Sequence, residues 1–184
     1  MTDDLSVAQI RQRIVEIRPE QFQGIVYRSA SPRYASEHDL LSGIGASKGG
    51  GRWNRVGAAA VYCSMTPEAA LAETLAIQRY YGWPDHGALP RIFVAIEVDL
   101  ACVLDLTAGL VRRKLRISET RMLEADWRAE MAVGAEPLTH KIGQAAIEAG
   151  FEAIKVSSAT DQRGPNLVVF PQNVLSTSRL RLSS

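Results

Sequence analysis

The sequence predicts a single α+β domain, and three observations carry that reading. Strand-like and helix-like segments follow one another without the regular βαβ alternation of a parallel sheet. The chain has 184 residues, a length that suits one domain. Its residues are 46% hydrophobic and 22% charged, and a chain of this size buries roughly 70% of its unfolded surface without metal or disulfide staples. The sequence contains no internal repeat, linker or low-complexity stretch.

The elements follow in order. Residues 6–16 place Val7, Ile10 and Ile14 on one face, as a short amphipathic helix does. Gly24–Ala30 reads as a strand ending at the turn-prone Ser31-Pro32. Residues 33–51 read as irregular chain with a helical turn near Glu37–Leu41, closing in Lys48-Gly49-Gly50-Gly51. Ala58–Cys63 is apolar throughout, as a buried strand is. Thr66-Pro67-Glu68 then opens a helix running to about Tyr80, with Thr as cap, Pro in the first turn and Glu at the positive dipole end. Arg91–Asp99 and Cys102–Leu106 are strands rich in β-branched residues. A helical pattern covers Leu110–Val133, and Thr139–Ala149 is a helix capped by Gly150. Phe151–Val156 and Asn166–Phe170 complete the strands.

Composition removes several classes. No apolar run approaches the ~20 residues that span a bilayer, and the first residues lack a signal-peptide core. Cys63 and Cys102 lie in apolar strand-like runs, as reduced thiols of a cytoplasmic protein do. The formal net charge is +1, which argues against holding nucleic acid by bulk electrostatics. His38, His86 and His140 are scattered, and no Cys-x-x-Cys or HExxH spacing is present, so no protein-ligated metal is expected. A G-x-S-x-G elbow for acyl transfer is also missing. Of the 21 basic residues, 17 are Arg, a bias that fits either an anionic ligand or a GC-rich coding sequence. The run Arg112-Arg113-Lys114-Leu115-Arg116 reads as a solvated helix face, with an acidic partner or a subunit contact as alternatives.

Five places carry candidate chemistry. In Gly49-Gly50-Gly51-Arg52-Trp53-Asn54, closely approaching amides can form an anion-binding concavity and Arg52 can fork onto phosphate; a plain connector is the other reading. Glu73 sits on the Pro67–Tyr80 helix among Ala69, Ala70, Ala76 and Ile77, where an unpartnered carboxylate is costly. It therefore meets either a buried arginine or a ligand. Tyr62 offers a core ring with a bonded hydroxyl, or a stacking face for a flat ligand ring. Ser157, Ser158 and Asn166 flank a polar loop, as solvated or capping groups or as ligand contacts. Arg28 interrupts an apolar strand and calls for an acidic partner or an anionic ligand.

Taken together, Val26-Tyr27-Arg28, Gly50-Gly51-Arg52-Trp53-Asn54, Val61-Tyr62-Cys63-Ser64, Pro67-Glu68-Ala69-Ala70-Leu71-Ala72-Glu73, Ser157-Ser158 and Asn166-Leu167-Val168-Val169-Phe170-Pro171 resemble the RES domain family. The resemblance covers residues 24–172, leaving 1–23 as a helical lead and 173–184 as a tail. The family is named for an arginine, a glutamate and a serine, here Arg52, Glu73 and Ser158. Ser157 stands where the family pattern has proline.

The resemblance implies an ADP-ribosyltransferase-like mixed sheet with surrounding helices. It also implies a bacterial toxin that consumes NAD as a substrate, with no cofactor, and that pairs with an Xre-like helix-turn-helix antitoxin. On that reading Arg52, Glu73 and Tyr62 are catalytic, and Arg28, Gly50, Gly51, Asn54, Ser158 and Asn166 bind substrate. Arg52, Arg28 and the glycines suit the pyrophosphate. Tyr62 suits the cationic nicotinamide ring, and Glu73 suits the adjoining ribose. Phosphate, water and a protein all remain open as acceptors, and a homo-oligomer remains open too. A non-catalytic nucleotide-binding or partner-binding module is the alternative outside catalysis.

Overall fold

The computed structural model describes residues 5–160 and 164–183. The first helix, α1 (Val7–Ile14), is fixed by a capping box in which Ser6 and Gln9 exchange side-chain and backbone hydrogen bonds. Ile10 and Ile14 on its inner face are fully buried. The helix read as a lead is thus part of the core, packed with Ile142 and Phe170.

The longest ladder joins β1 (Glu20–Ala30) and β3 (Ile92–Asp105), antiparallel from Ala30↔Ile92 to Glu20↔Val103. The two strands expected at Arg91–Asp99 and Cys102–Leu106 are one, because a register shift in β1 between Glu20 and Phe22 keeps the pairing going. β2 (Val61–Ser64) starts later than expected. Ala60 donates its N–H to the Gly43 carbonyl, and a Cβ on Gly43 (φ 69°) would strike the Ala60 backbone.

β4 (Ala153–Ser157) and β5 (Pro165–Val169) lie between β3 and β2. The β3–β4 pair is parallel, whereas β4–β5 and β5–β2 are antiparallel. Since β3 also pairs with β1, the order β1-β2-β5-β4-β3 closes on itself. β6 (Arg179–Leu182), within the segment read as a tail, adds to β3 through Ile96↔Leu182 to Asp99↔Arg179.

Side-chain alternation sorts the core into two parts. Val26, Val61, Cys63, Ile96, Val98, Ala153, Leu167 and Val169 form one cluster inside the strand ring. Leu104, Ile154, Val156, Val168 and Phe170 face the other way and pack under α1 and α8 (Leu138–Glu148).

Irregular chain was expected before Gly50, but α3 (Ile44–Gly49) is there, following α2 (Glu37–Leu41). α4 (Pro67–Tyr80) matches the sequence reading at both ends. The Leu110–Val133 pattern resolves into α5 (Gly109–Leu115), α6 (Glu119–Glu124) and α7 (Trp127–Ala132). Arg116 turns left-handed at φ 57°, and Ser118 and Asp126 each restart a helix by accepting a backbone N–H three residues on. Within the basic run, Arg112 is tied down by the Leu106 and Thr107 carbonyls and by Glu119. Among the described residues no helix is long and apolar enough to cross a membrane.

Candidate active site

The site is organised around Glu73 on α4. Thr66 starts that helix by accepting the Ala69 N–H at 3.1 Å, and Pro67 occupies the first turn. Two residues donate to Glu73 Oε1: the Ser158 hydroxyl at 2.6 Å and the Asn166 amide at 2.6 Å. Thr160 donates its hydroxyl to Oε2 at 3.1 Å. Asn166 is held in turn, because its carbonyl oxygen accepts the Ser64 hydroxyl at 2.8 Å. The pairing Ser64↔Asn166 across β2 and β5 makes that bond a product of strand register. These uncharged donors orient the carboxylate without neutralising it.

Ser158, rather than Ser157, reaches Glu73. Ser157 turns the other way and donates to Glu119, so the departure from the family's proline lies outside the Glu73 cluster.

Next to this cluster is a tight turn, Gly51–Asn54, closed by the Gly51 N–H on the Asn54 carbonyl at 3.0 Å. The glycine amides were expected to cradle an anion, but they are committed inside the fold. The Gly50 N–H bonds the Ala46 carbonyl at the end of α3, with Gly50 at φ 75°. Gly51 is glycine for a different reason: a Cβ there would lie 2.5 Å from the Tyr62 hydroxyl and 2.7 Å from Asn54 Oδ1.

Asn54, expected to contact substrate, also points inward. It is 1% exposed, its amide donates to the Ala46, Arg55 and Ala58 carbonyls, and its oxygen accepts the Tyr62 hydroxyl at 2.7 Å. That geometry leaves it a scaffold role. The Tyr62 hydroxyl also accepts the Trp53 N–H at 2.9 Å. Burial pushes its pKa up, outweighing the Arg52 charge. The Tyr62 hydroxyl is therefore committed to the fold and keeps its proton.

Arg52 is half committed. Its Nη1 donates to the Met122, Leu123 and Ala125 carbonyls at 3.1, 3.4 and 3.2 Å, capping the C-terminal end of α6. The rest of the fork makes no hydrogen bond to described residues. Burial lowers the Arg52 pKa, and the nearby Glu73 charge opposes that shift. An arginine and a carboxylate thus share the site without being bonded to each other.

Arg28 is placed differently. Strand register puts Tyr27 opposite Ser64, so Arg28 shares the Cys63 face of β1 and β2. Its Nε is buried with no hydrogen-bond partner, and burial lowers its pKa. Cys63 is not its counter-ion, because burial pushes that thiol up to about 12.

Sequence reasoning passed over several members of the site. Thr160 and Ser64 are polar residues without a local pattern, found only through their spatial partners. His140 lies buried at the start of α8 with Nε2 2.7 Å from the Gly51 carbonyl. Arg128 on α7 and the aromatic rings around it border Arg52, since the Arg128 charge acts on both Arg52 and Tyr62.

Three comparisons bear on this geometry. A segment of 72 residues, 39% of this chain and 42% of the relative, is 42% identical to a protein of Sphingobium sp. (strain YBL2) named "Prs ADP-ribosylating toxin". The match therefore spans less than half of either protein. The fold is similar to a chain in the crystal structure of the M. tuberculosis MbcT–MbcA toxin–antitoxin complex, with a TM-score of 0.74 and 22% identity, covering 95% of this chain and 89% of that one. The model of the RES domain matches residues 25–181. With most of its length matched, and with Arg52, Glu73 and Ser158 gathered in one place, the chain belongs to the RES domain family.

Proposed function

We propose that this chain is the toxin of a toxin–antitoxin pair and that it consumes NAD by breaking the nicotinamide–ribose bond. The observation that carries the reading is the Glu73 carboxylate, oriented by Ser158, Thr160 and Asn166 and set beside the partly free guanidinium of Arg52. Such a carboxylate stabilises positive charge that appears only as the bond breaks, which is where catalysis gains most. Nicotinamide leaves with the bonding electron pair, and the ribose carbon takes oxocarbenium character beside Glu73. A water or phosphate oxygen then bonds that carbon, and the proton of an attacking water passes to solvent. Arg52 contributes its remaining N–H groups to the pyrophosphate, the Tyr62 ring faces the nicotinamide, and Arg28 adds positive charge.

Water or phosphate is the acceptor in this reading, as in a glycohydrolase or a phosphorylase. Transfer to a protein is the second reading, and it is favoured by the relative named for ADP-ribosylation. The proposed partner is an Xre-like helix-turn-helix antitoxin, a reading supported by the fold's likeness to a chain of a toxin–antitoxin complex. Incubating purified protein with NAD, with and without phosphate, and following nicotinamide release tests the reaction. Release in either arm supports the hydrolytic or phosphorolytic route. Release only when a target protein is added moves the conclusion to transfer. No release in any arm defeats the proposal.

A further inference from the structure

Arg128 stands out once the Glu73 cluster is set aside. Its guanidinium carbon lies 4.2 Å from the Trp127 ring centroid, 4.8 Å from that of Tyr80 and 5.9 Å from that of Tyr81. Three aromatic faces thus surround one cation. Ring contacts of this kind use the faces of a planar guanidinium and leave its edge N–H donors available for hydrogen bonds. Arg128 has no ion pair or side-chain hydrogen bond among the described residues.

The adjacent carboxylate does not take those donors. Asp126 accepts the Tyr80 hydroxyl at 3.0 Å and the Ala129 N–H at 3.0 Å. It steadies the platform, and beside the Ala129 N–H the Arg128 backbone N–H and charge help hold it ionised, without an ion pair to the guanidinium. Nearby is Arg52, whose charge Arg128 makes less favourable while Glu73 and Asp126 make it more favourable. Two neighbouring guanidinium groups, neither of them ion-paired to a carboxylate among the described residues, are arranged for a ligand that carries negative charge.

We propose that Arg128 is a substrate-binding residue, gripping the diphosphate of the dinucleotide together with the free edge of Arg52. The assignment rests on the NAD-consuming reading above and adds to it a contact that the sequence did not mark. A diphosphate offers a fork-shaped guanidinium paired oxygens, and a guanidinium held on aromatic rings loses little freedom on binding.

Two measurements on Arg128→Ala and Arg128→Lys test this. The first is steady-state nicotinamide release from NAD and from nicotinamide riboside, which lacks phosphate. The second is calorimetric binding of ADP-ribose. Arg128→Ala is expected to raise KM for NAD and Kd for ADP-ribose by about tenfold or more, with kcat within about threefold. Turnover of nicotinamide riboside should be unchanged, and Arg128→Lys should recover only part of the affinity. Equal affinity of wild type and Arg128→Ala for ADP-ribose overturns the proposal, and so does an equal loss on the phosphate-free substrate. If the wild type releases no nicotinamide, the reaction assignment falls while ADP-ribose affinity still decides the role of Arg128. A wild type that releases no nicotinamide and binds no ADP-ribose overturns both. Unchanged thermal unfolding midpoints separate these effects from misfolding.

Discussion

Ser158 donates its hydroxyl to Glu73 Oε1 at 2.6 Å, joining the end of β4 to the middle of α4 across 85 residues of sequence. The Asn166 amide meets the same oxygen. The carboxylate is therefore held from the sheet side, and its orientation depends on strand register as much as on the helix that bears it.

Glu73→Gln tests the charge. The amide retains the shape but removes the negative charge, and its NH2 group turns one oriented acceptor into a donor facing other donors. NAD turnover is expected to fall by about 10²–10³-fold, the scale of losing one oriented transition-state contact. The thermal unfolding midpoint should change little. Full turnover by Glu73→Gln in a nicotinamide-release assay would remove the carboxylate from the mechanism.

The helix carrying Glu73 was legible because its signals are local: Thr66, Pro67 and Glu68 start it, and apolar periodicity extends it to Tyr80. The β-branched strands were legible for the same reason. The continuity of β3 was not, because it depends on a register shift in β1. Nor was β6, whose alternating Arg179-Leu180-Arg181-Leu182 gains partners only from β3. At the site, Glu73 was legible as a carboxylate on a largely apolar helix and Ser158 as a polar loop residue, and the family pattern added their roles. The fate of Asn54 and the glycine amides could not be read that way, since hydrogen-bond partners from α3 and β2 decide it. His140 was passed over because its partner is a backbone carbonyl 89 residues away.

Tyr62→Phe tests whether the tyrosine hydroxyl is structural. Removing it leaves the buried Asn54 oxygen without its donor and the Trp53 N–H without its acceptor. Stability should drop by about 1–3 kcal/mol, the usual cost of stranding buried polar groups. Because the ring remains, kcat should fall far less than in Glu73→Gln. A chemical-denaturation midpoint equal to that of wild type would contradict the assignment.

Gly143→Ala probes how the Gly51–Asn54 turn is seated on α8. A Cβ at this position would overlap the Trp53 carbonyl oxygen, which is backbone and cannot swing aside. The turn bearing Arg52 must then shift. Overpacking of this kind costs about 1–3 kcal/mol, and NAD turnover should fall together with stability. A variant with wild-type stability and activity would show that the turn accommodates the methyl group.

His140 makes part of the stability pH-dependent. Its Nε2–H donates to the Gly51 carbonyl, and burial holds its pKa below the ordinary 6.5, partly opposed by that bond. The unfolded chain takes up the proton at the ordinary value, and the folded chain only at lower pH. The stabilising contribution is thus complete above 6.5 and declines as pH falls from there through the folded value. Between about pH 7.5 and pH 5.5 the unfolding midpoint of wild type should fall more than that of His140→Asn. Equal falls would show that His140 does not titrate differently in the two states.

Arg28→Met separates folding from binding. The Arg28 Nε is buried without a hydrogen-bond partner beside a protonated Cys63, and among the described residues the guanidinium makes no ion pair. Replacing an uncompensated buried charge by an apolar chain of similar length should stabilise the fold, by about 1–4 kcal/mol on the scale seen for apolar replacement of buried ionic groups. On the proposed reading, in which Arg28 lends its charge to the dinucleotide, that stability is exchanged for ligand binding. Thermal unfolding of Arg28→Met should therefore have a higher midpoint without ligand, and ADP-ribose should raise that midpoint less than it does for wild type. A lower midpoint without ligand would mean that Arg28 stabilises the fold. An undiminished response to ADP-ribose would place Arg28 outside the binding site.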